Sequence, residues 1–526
     1  MGLGYVAAKT TSAAGPDPMD DQQYEYLVRR LELEAHDNPT RFRSKVLAVS
    51  GIAYLTLAAT LALVAGLALL VFHLVRDNRS TWLLFQLGLM GLGLLGVLYT
   101  VLRAFLTRLP PPPGREVSRD EAPRLFELID RVRDKLKGPP LHRVVIDRSF
   151  NAAIAQVPRF GLFGGHRNHL IIGLPYLQAM STREMAATLA HEYGHLTGAH
   201  GKVSAWVYRQ RVTFGALMDK VQGTDGDWLD SLLHAGLRRF APYFNAYTFV
   251  LSREDEYQAD AAASHAAGRT ANASSLCRGE LLGRWFAEDY WPRLYAQASH
   301  RASPLLPPFA AMQAAFAANY GEWSTTERLD EALQRRSDLH DTHPCLRDRL
   351  DAIERKPALP LPVEKTAADM LLREFADVLA REFDEAWWAE ERAEWQAHYG
   401  KQSEFRRRVA ELSARPLDSL GPFELQELGT ALVGCGRDRD ARPVLEYLLA
   451  RPDGPFPRAR LIYGRLLLGA GDERGLEQLA RAAGEDERLT EQCARDGYVW
   501  LRKARGEAEA ADWAERLSSR AAWPLA

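Results

Sequence analysis

The chain reads as mainly α-helical with one α+β segment, and three observations carry that reading. Two long charge-free runs stand near the N-terminus, helical periodicity fills most of the remainder, and short β-type runs cluster between Arg143 and Ile172. At 526 residues the chain is too long for one ordinary core and predicts two or three domains. Hydrophobic residues make up 47%, enough apolar surface for such cores. Lys+Arg 66 against Asp+Glu 68 leaves no basic surplus, so nothing points to a nucleic-acid partner. Cys277, Cys345, Cys435 and Cys493 lie far apart with no C-x-x-C pair. That argues against a disulfide scaffold or cysteine-bound zinc and fits a reducing compartment.

Residues 1–45 are polar, carry a helical pattern from Gln22 to Glu34, and end on Arg41, Arg43 and Lys45. They read as a cytosolic N-terminal segment without signal-peptide architecture. Within 46–105, the runs 46–72 and 81–102 hold no charged side chain, and each exceeds the roughly 20 residues a helix needs to cross a bilayer. The short link His73 to Ser80 makes them a transmembrane hairpin and the lipid bilayer a partner. Arg41, Arg43 and Lys45 before the hairpin and Arg103, Arg108, Arg115 and Arg119 after it outnumber Arg76 and Arg79 in the link. This bias places both ends on the cytoplasmic side of an inner or plasma membrane.

Pro110 to Pro113 followed by Gly114 makes a stiff exit. A domain over 115–355 follows. Its first helix, Glu121 to Leu136, has Leu125, Leu128, Ile129 and Val132 on one stripe. Strands are expected at Arg143 to Ile146, Ala152 to Val157 and His169 to Ile172, with Gly161, Gly164 and Gly165 as turn signals between the last two. Ser181 to Ile353 is nearly all helical. The proline-rich stretch 356–365 reads as a linker, and 366–526 as a helical-repeat domain. In that domain Gly436, Gly471 and Gly506 recur 35 residues apart. Leu432, Leu466 and Leu501 precede those turns, and Leu445, Leu479 and Trp513 follow them. Paired helices at this period resemble tetratricopeptide-type repeats, which implies a protein partner.

Residues 191–195 read His191-Glu192-Tyr193-Gly194-His195, an H-E-x-x-H motif. On a helix, positions i and i+4 share a face, so both imidazoles can reach one metal ion. Glu192 projects about a quarter-turn away, where it can act on water without ligating. Ser181 followed by Glu184 is a capping-box start, and Met185, Leu189, Tyr193 and Leu196 make the helix apolar. Two histidines and a glutamate on such a helix would be costly without a partner.

A catalytic zinc takes three protein ligands and keeps a fourth position open, so a third ligand is needed. The best candidate segment is Ser252 to Asp260, where Glu256 and Asp260 are i and i+4 on a helix. Glu256 could complete the coordination and Asp260 could accept a hydrogen bond from His191. On charge pattern alone, an ordinary acidic helical face fits equally well.

His191 to His195 followed by His200, together with Ser252-Arg253, Glu256 and Ala259-Asp260, resembles the HtpX and CaaX-prenyl-protease family of membrane-associated zinc metallopeptidases. Asn151-Ala152, the strand Leu170-Ile171-Ile172-Gly173, and Thr342-His343-Pro344 with Arg349-Leu350 extend the resemblance over roughly 117–353. It implies a zincin-like metallopeptidase domain of the gluzincin type with one zinc held by His191, His195 and Glu256. Glu192 would then be the general base and Asp260 would orient His191, while His343, Arg349 and Asn151 organise the site. His200 reads as a structural helix-end residue, and His166 and His169 as surface histidines. One departure stands out. The family carries further spans between its two zinc motifs, whereas Val203 to Leu251 here is interrupted by Arg209, Arg211, Asp219, Lys220, Arg238 and Arg239.

The leading expectation is therefore a membrane-anchored zinc endopeptidase acting on protein or peptide substrates. An extended substrate would add as a strand along the edge formed by His169, Leu170, Ile171 and Ile172. Misfolded or membrane-associated proteins fit as substrates. The rival reading is a membrane-anchored helical-repeat adaptor with a structural or inactive zinc site. Specificity for prenylated C-terminal peptides fits less well, since that chemistry goes with a multi-span chamber.

Overall fold

The computed structural model describes residues 19–77, 80–106, 112–158, 166–197, 228–337 and 343–518. Its contacts divide the chain into two compact units, residues 1–291 with 306–386 and residues 292–305 with 387–526. Both are predominantly helical, and one four-stranded sheet lies in the first.

The first unit begins with α1 (Asp21–Asp37), α2 (Pro39–Asp77) and α3 (Thr81–Leu106). Asp20 caps α1 by accepting from Gln23 N at 2.7 Å. The N-terminal stretch is not separate from the rest of the unit. Leu27, Val28, Leu31, Phe42 and Val46 form one buried cluster with Ala246, Phe249 and Val250 of a later helix, and Glu32 pairs with Arg253. The stretch 46–72 lies within α2 and 81–102 within α3. Among the described residues no helix is long and apolar enough to cross a membrane.

The sheet is built from β1 (Arg115–Glu116), β2 (Arg143–Asp147), β3 (Ala152–Pro158) and β4 (His166–Gly173) in the order β1-β2-β4-β3. β2 pairs parallel with β4, and β4 pairs antiparallel with β3 in the register Ala152↔Ile172 to Pro158↔His166. This corrects the expected substrate edge. His169, Leu170, Ile171 and Ile172 lie on a central strand whose two edges are already paired, and the strands at the margins are β1 and β3. His169 is also not a surface residue: it is 3% exposed, whereas His166 is exposed. The glycines 161, 164 and 165 and His200 lie outside the described residues, as does the stretch 203–227.

Between β1 and β2, α4 (Pro123–Leu136) buries Leu125, Leu128, Ile129 and Val132, the stripe its period announced. After β4 come α5 (Leu174–Ala179) and α6 (Thr182–Gly194). Ser181 and Glu184 form a reciprocal capping box at the start of α6. Glu184 does more than cap. Its buried carboxylate accepts from Ser274 Oγ at 2.6 Å and from Arg278 Nε at 3.0 Å, which ties α6 to α8. The long helix α7 (Trp228–Ala267) and then α8 (Arg269–Trp285) pack on α6. α9 (Pro308–Ala318), α10 (Thr326–Gln334) and α11 (Leu346–Ala352) complete the region around the site.

The proline-rich stretch binds back onto this unit. Arg278 Nη2 donates to Leu361 O at 2.6 Å, Tyr320 Oη donates to Pro360 O at 2.8 Å, and Ser181 bridges Thr366. Its prolines offer no N–H groups, yet the carbonyls of Pro360 and Leu361 find donors there. The compact units consequently divide within α12 (Glu374–Ser413), after Ala386.

In the second unit, α13 (Pro422–Gly434) and α14 (Asp438–Leu449), α15 (Pro457–Gly469) and α16 (Arg474–Glu485), and α17 (Thr490–Ala504) and α18 (Glu507–Ser518) form successive hairpins. Each turns at a glycine with positive φ: Gly436 (+70°), Gly471 (+78°) and Gly506 (+98°). The residues set apart by period, Leu445, Leu479 and Trp513, are all buried.

The Glu184–Arg278 pair yields a stability prediction. Both side chains are 4% exposed, so Arg278→Ala strands a buried carboxylate. Unfolding by urea should show a loss of about 3–5 kcal/mol.

Candidate metal centre

His191 and His195 lie one turn apart at the C-terminal end of α6, with His195 as its C-cap residue. Their Nε2 atoms are 3.2 Å apart. Glu256, on α7, places Oε2 3.5 Å from His191 Nε2 and Oε1 3.4 Å from His195 Nε2. Two imidazole nitrogens and the two oxygens of one carboxylate at these separations lie near the edge length of a tetrahedron, about 3.3–3.6 Å for bonds of about 2.0–2.2 Å to a shared ion. Glu256 Oε2 is buried without an aligned hydrogen-bond donor, although His343 Nδ1 stands 2.9 Å from it. Two imidazoles and a carboxylate with an orphaned buried oxygen fit a divalent metal ion.

The supporting contacts fix this triangle. Asp260 follows Glu256 by one turn of α7 and places Oδ1 3.1 Å from His191 Nδ1. An ionised carboxylate only accepts, so His191 donates from Nδ1 and turns Nε2 toward the other ligands. Arg349 on α11 grips Asp260 with two bonds of 2.8 Å, from Nε to Oδ2 and from Nη2 to Oδ1. Asn272 Nδ2 donates to the Asp260 backbone carbonyl at 3.0 Å. Asn151 touches no ligand: its carbonyl accepts from Gly173 N at 2.8 Å at the start of β3.

Glu192 lies beside the triangle rather than in it. Ile154 N on β3 donates to its Oε2 at 3.2 Å, which ties the glutamate to the marginal strand. A cleft of about 780 Å³ runs past Glu192, His191 and His195 toward Phe150, Tyr176 and Ser275.

Charge is distributed unevenly over these groups. Burial works against an imidazolium at His191, yet the hydrogen bond to Asp260 and the nearby Glu256 carboxylate outweigh it and hold this ring up to about 9. Burial and the neighbouring His191 push His195 down to about 4. Burial would raise Glu256, but His191 and His343 hold it well below the usual carboxylate range. Burial raises Glu192 from its ordinary value.

The twelve candidate site residues can therefore be placed. His191, Glu192, His195, Glu256, Asp260, His343 and Arg349 come together; Asn151 lines the cleft; and His169, Leu170, Ile171 and Ile172 lie on the central strand β4. Sequence reasoning missed the Ile154 N–H and the Glu184–Ser274–Arg278 brace. The second had a partial signal, since Glu184 was already marked as a capping residue. Residues 134–356, the segment that carries this centre, match the model of Peptidase family M48. No curated protein matches the chain.

Two outcomes follow for metal binding. Removing the Asp260 charge with Asp260→Asn should weaken zinc affinity about 10–100-fold, as read by competition with a chelating dye. With His191 held up to about 9 and His195 down to about 4, the metal-free site carries one displaceable proton at neutral pH. Zinc affinity should rise as pH increases toward 9, by up to about tenfold per unit. Calorimetry in buffers of different ionisation enthalpy should detect release of about one proton at pH 7.5.

Proposed function

From a segment of peptidase family M48, we propose a membrane-anchored zinc endopeptidase that hydrolyses peptide bonds in protein substrates. The observation that carries this reading is the triangle His191, His195 and Glu256 with a fourth group, the Glu192 carboxyl, beside it and outside it. A structural metal site uses its ligands to close the shell; this set leaves one position and one spare base.

Zinc, when bound by His191, His195 and Glu256, supplies the Lewis acidity that activates water and polarises the scissile carbonyl. The chain's own residues do the rest. Glu192, raised by burial, takes a proton from the attacking water and passes it to the departing amine. The Ile154 N–H holds Glu192 Oε2 in place during both transfers. Asp260 and Arg349 keep His191 in one tautomer and one orientation. A substrate in extended form would run along β3, the strand at the margin of the sheet next to Glu192.

Membrane anchoring belongs to the same reading. The charge-free runs 46–72 and 81–102 support it, as do Leu55, Leu69, Phe72, Phe85, Leu89 and Leu92, which leave large apolar side chains exposed. Lys/Arg counts favour a cytoplasmic catalytic domain at an inner or plasma membrane, with misfolded or membrane-associated proteins as substrates. The helical hairpins of the second unit, like stacked repeats elsewhere, offer a surface for a protein partner or for substrate recruitment.

Glu192→Gln tests the assignment. Cleavage of casein by the zinc-loaded full chain in detergent should fall about 10²–10⁴-fold while zinc content stays unchanged. Retained activity would remove Glu192 from the mechanism. Full zinc occupancy in the unaltered chain with no cleavage of any substrate would favour the adaptor instead.

A further inference from the structure

The second unit holds a cavity of its own. It measures about 570 Å³ and lies where α12 passes the end of α13 and the residues Ser299 and His300. Phe405 of α12 packs against Gly434 so closely that a Cβ at residue 434 would lie 2.3 Å from its ring, which fixes the two helices beside the cavity. Val409 and Ala410 contribute an apolar wall from α12.

Its charge is one-sided: Arg406, Arg437 and His300 line it, and among the described residues no aspartate or glutamate does. Asp440 occupies Arg437, whose Nε donates to Oδ2 at 2.7 Å. Arg406 has only neutral partners. This partly buried guanidinium donates from Nη1 to Ser299 O and from Nη2 to Ser403 Oγ, the latter at 3.0 Å, and lies 5.9 Å from the centre of the Tyr399 ring. Among the described residues no carboxylate pairs with it. The end of α13 does not supply the missing negative charge either, because the carbonyls of Ala431, Leu432 and Val433 already accept from Cys435 N, Arg437 N and Gly436 N at 2.9–3.0 Å. A partly buried cation without a counter-ion is costly.

We infer that this cavity takes one carboxylate of a peptide, with Arg406 as its counter-ion. A single uncompensated positive charge matches a carboxylate, whereas a phosphate monoester brings a charge of about −1.5 to −2. A guanidinium presents its N–H donors as a planar fork. One from Nη1 and one from Nη2 serve Ser299 and Ser403, and those that remain suit the two oxygens of a carboxylate. Gln402 and His300 add further N–H donors, and the wall of Val409 and Ala410 receives the apolar part of the residue that carries the charge. An ammonium group would meet Arg406 and Arg437 and be repelled. The carboxylate belongs either to the last residue of a chain or to an aspartate or glutamate, and the same donors read both. The site concerns what the helical hairpins hold and is independent of Glu192 and the metal.

The test measures binding to the full chain in detergent, carrying Glu192→Gln so that no probe is cut. The probes are octapeptides of Gly, Ser, Ala and Leu with a neutral boron-dipyrromethene dye at the N-terminus, and fluorescence anisotropy reads their affinity. One ends in a free carboxylate, a second in an amide, a third in an amide with one internal Glu and a fourth in an amide with one internal phosphoserine. We expect the free-acid or the Glu peptide to bind roughly tenfold or more tightly than the plain amide, and the tighter of the two identifies the source of the carboxylate. Arg406→Gln and Ala410→Glu should each remove that difference, while Ala410→Gln, which adds similar bulk without charge, keeps it. Ala410 is exposed on α12, so its glutamate variant decides if the Arg406 variant does not fold. Equal affinity for all four peptides, tightest binding of the phosphoserine peptide, no binding of any, or a difference that survives Ala410→Glu overturns the assignment and leaves the peptidase reading untouched.

Discussion

α6 and α7 approach one another where Gly194 meets Ala259. A Cβ at residue 194 would lie 2.7 Å from the Ala259 Cα and 3.1 Å from the Ala262 Cβ, so two backbones touch where a side chain would normally intervene. Most of the site depends on that contact. His195 directly follows Gly194, and Asp260 directly follows Ala259. Seated this closely, the two helices bring the His191 and His195 Nε2 atoms within 3.5 Å of Glu256 and the Asp260 carboxylate within 3.1 Å of His191 Nδ1. Any larger residue at 194 would move α6 outward and separate donors that must share one ion.

Electrostatics then divides the labour between two glutamates, Glu256 within 3.5 Å of both imidazoles and Glu192 beside them. Glu256 faces His191 and His343 and is held strongly ionised, which suits a ligand. Glu192 is buried with a single backbone donor at its Oε2 and is raised, which suits a group that must accept and return a proton. Burying Asp260 as well would be expensive on its own. The paired bonds from Arg349 satisfy both of its oxygens, so this charge orients His191 instead of destabilising the core.

The helical parts of this arrangement were legible because they obey short periods. The i, i+4 spacings of His191/His195 and Glu256/Asp260, the Ser181/Glu184 cap and the stripe on α4 are all local. The three longer strands were found near their observed limits for the same reason. What the sequence concealed was long-range. β4 reads as a short apolar strand whether central or marginal, and only the pairing of β2 on one side and β3 on the other settles its place. The proline-rich stretch has linker composition, yet Arg278 and Tyr320 hold its carbonyls. Arg278 itself lies far from its partners in sequence, so no window could reveal that it braces Glu184.

The N-terminal helix shows the same limit and adds a structural consequence. α1 has the polar surface of an independent segment, but Leu27, Val28 and Leu31 occupy every third or fourth position and seal against Ala246, Phe249 and Val250 of α7. Arg253, 8% exposed, stacks on Phe249 at 4.5 Å and pairs with Glu32, only three residues before the ligand Glu256. Phe42 and Val46, at the start of α2, belong to the same core. The first turns of α2 are therefore fixed by packing against the helix that supplies Glu256. The charge-free run beginning at Val46 therefore starts from a defined position relative to the metal ligands.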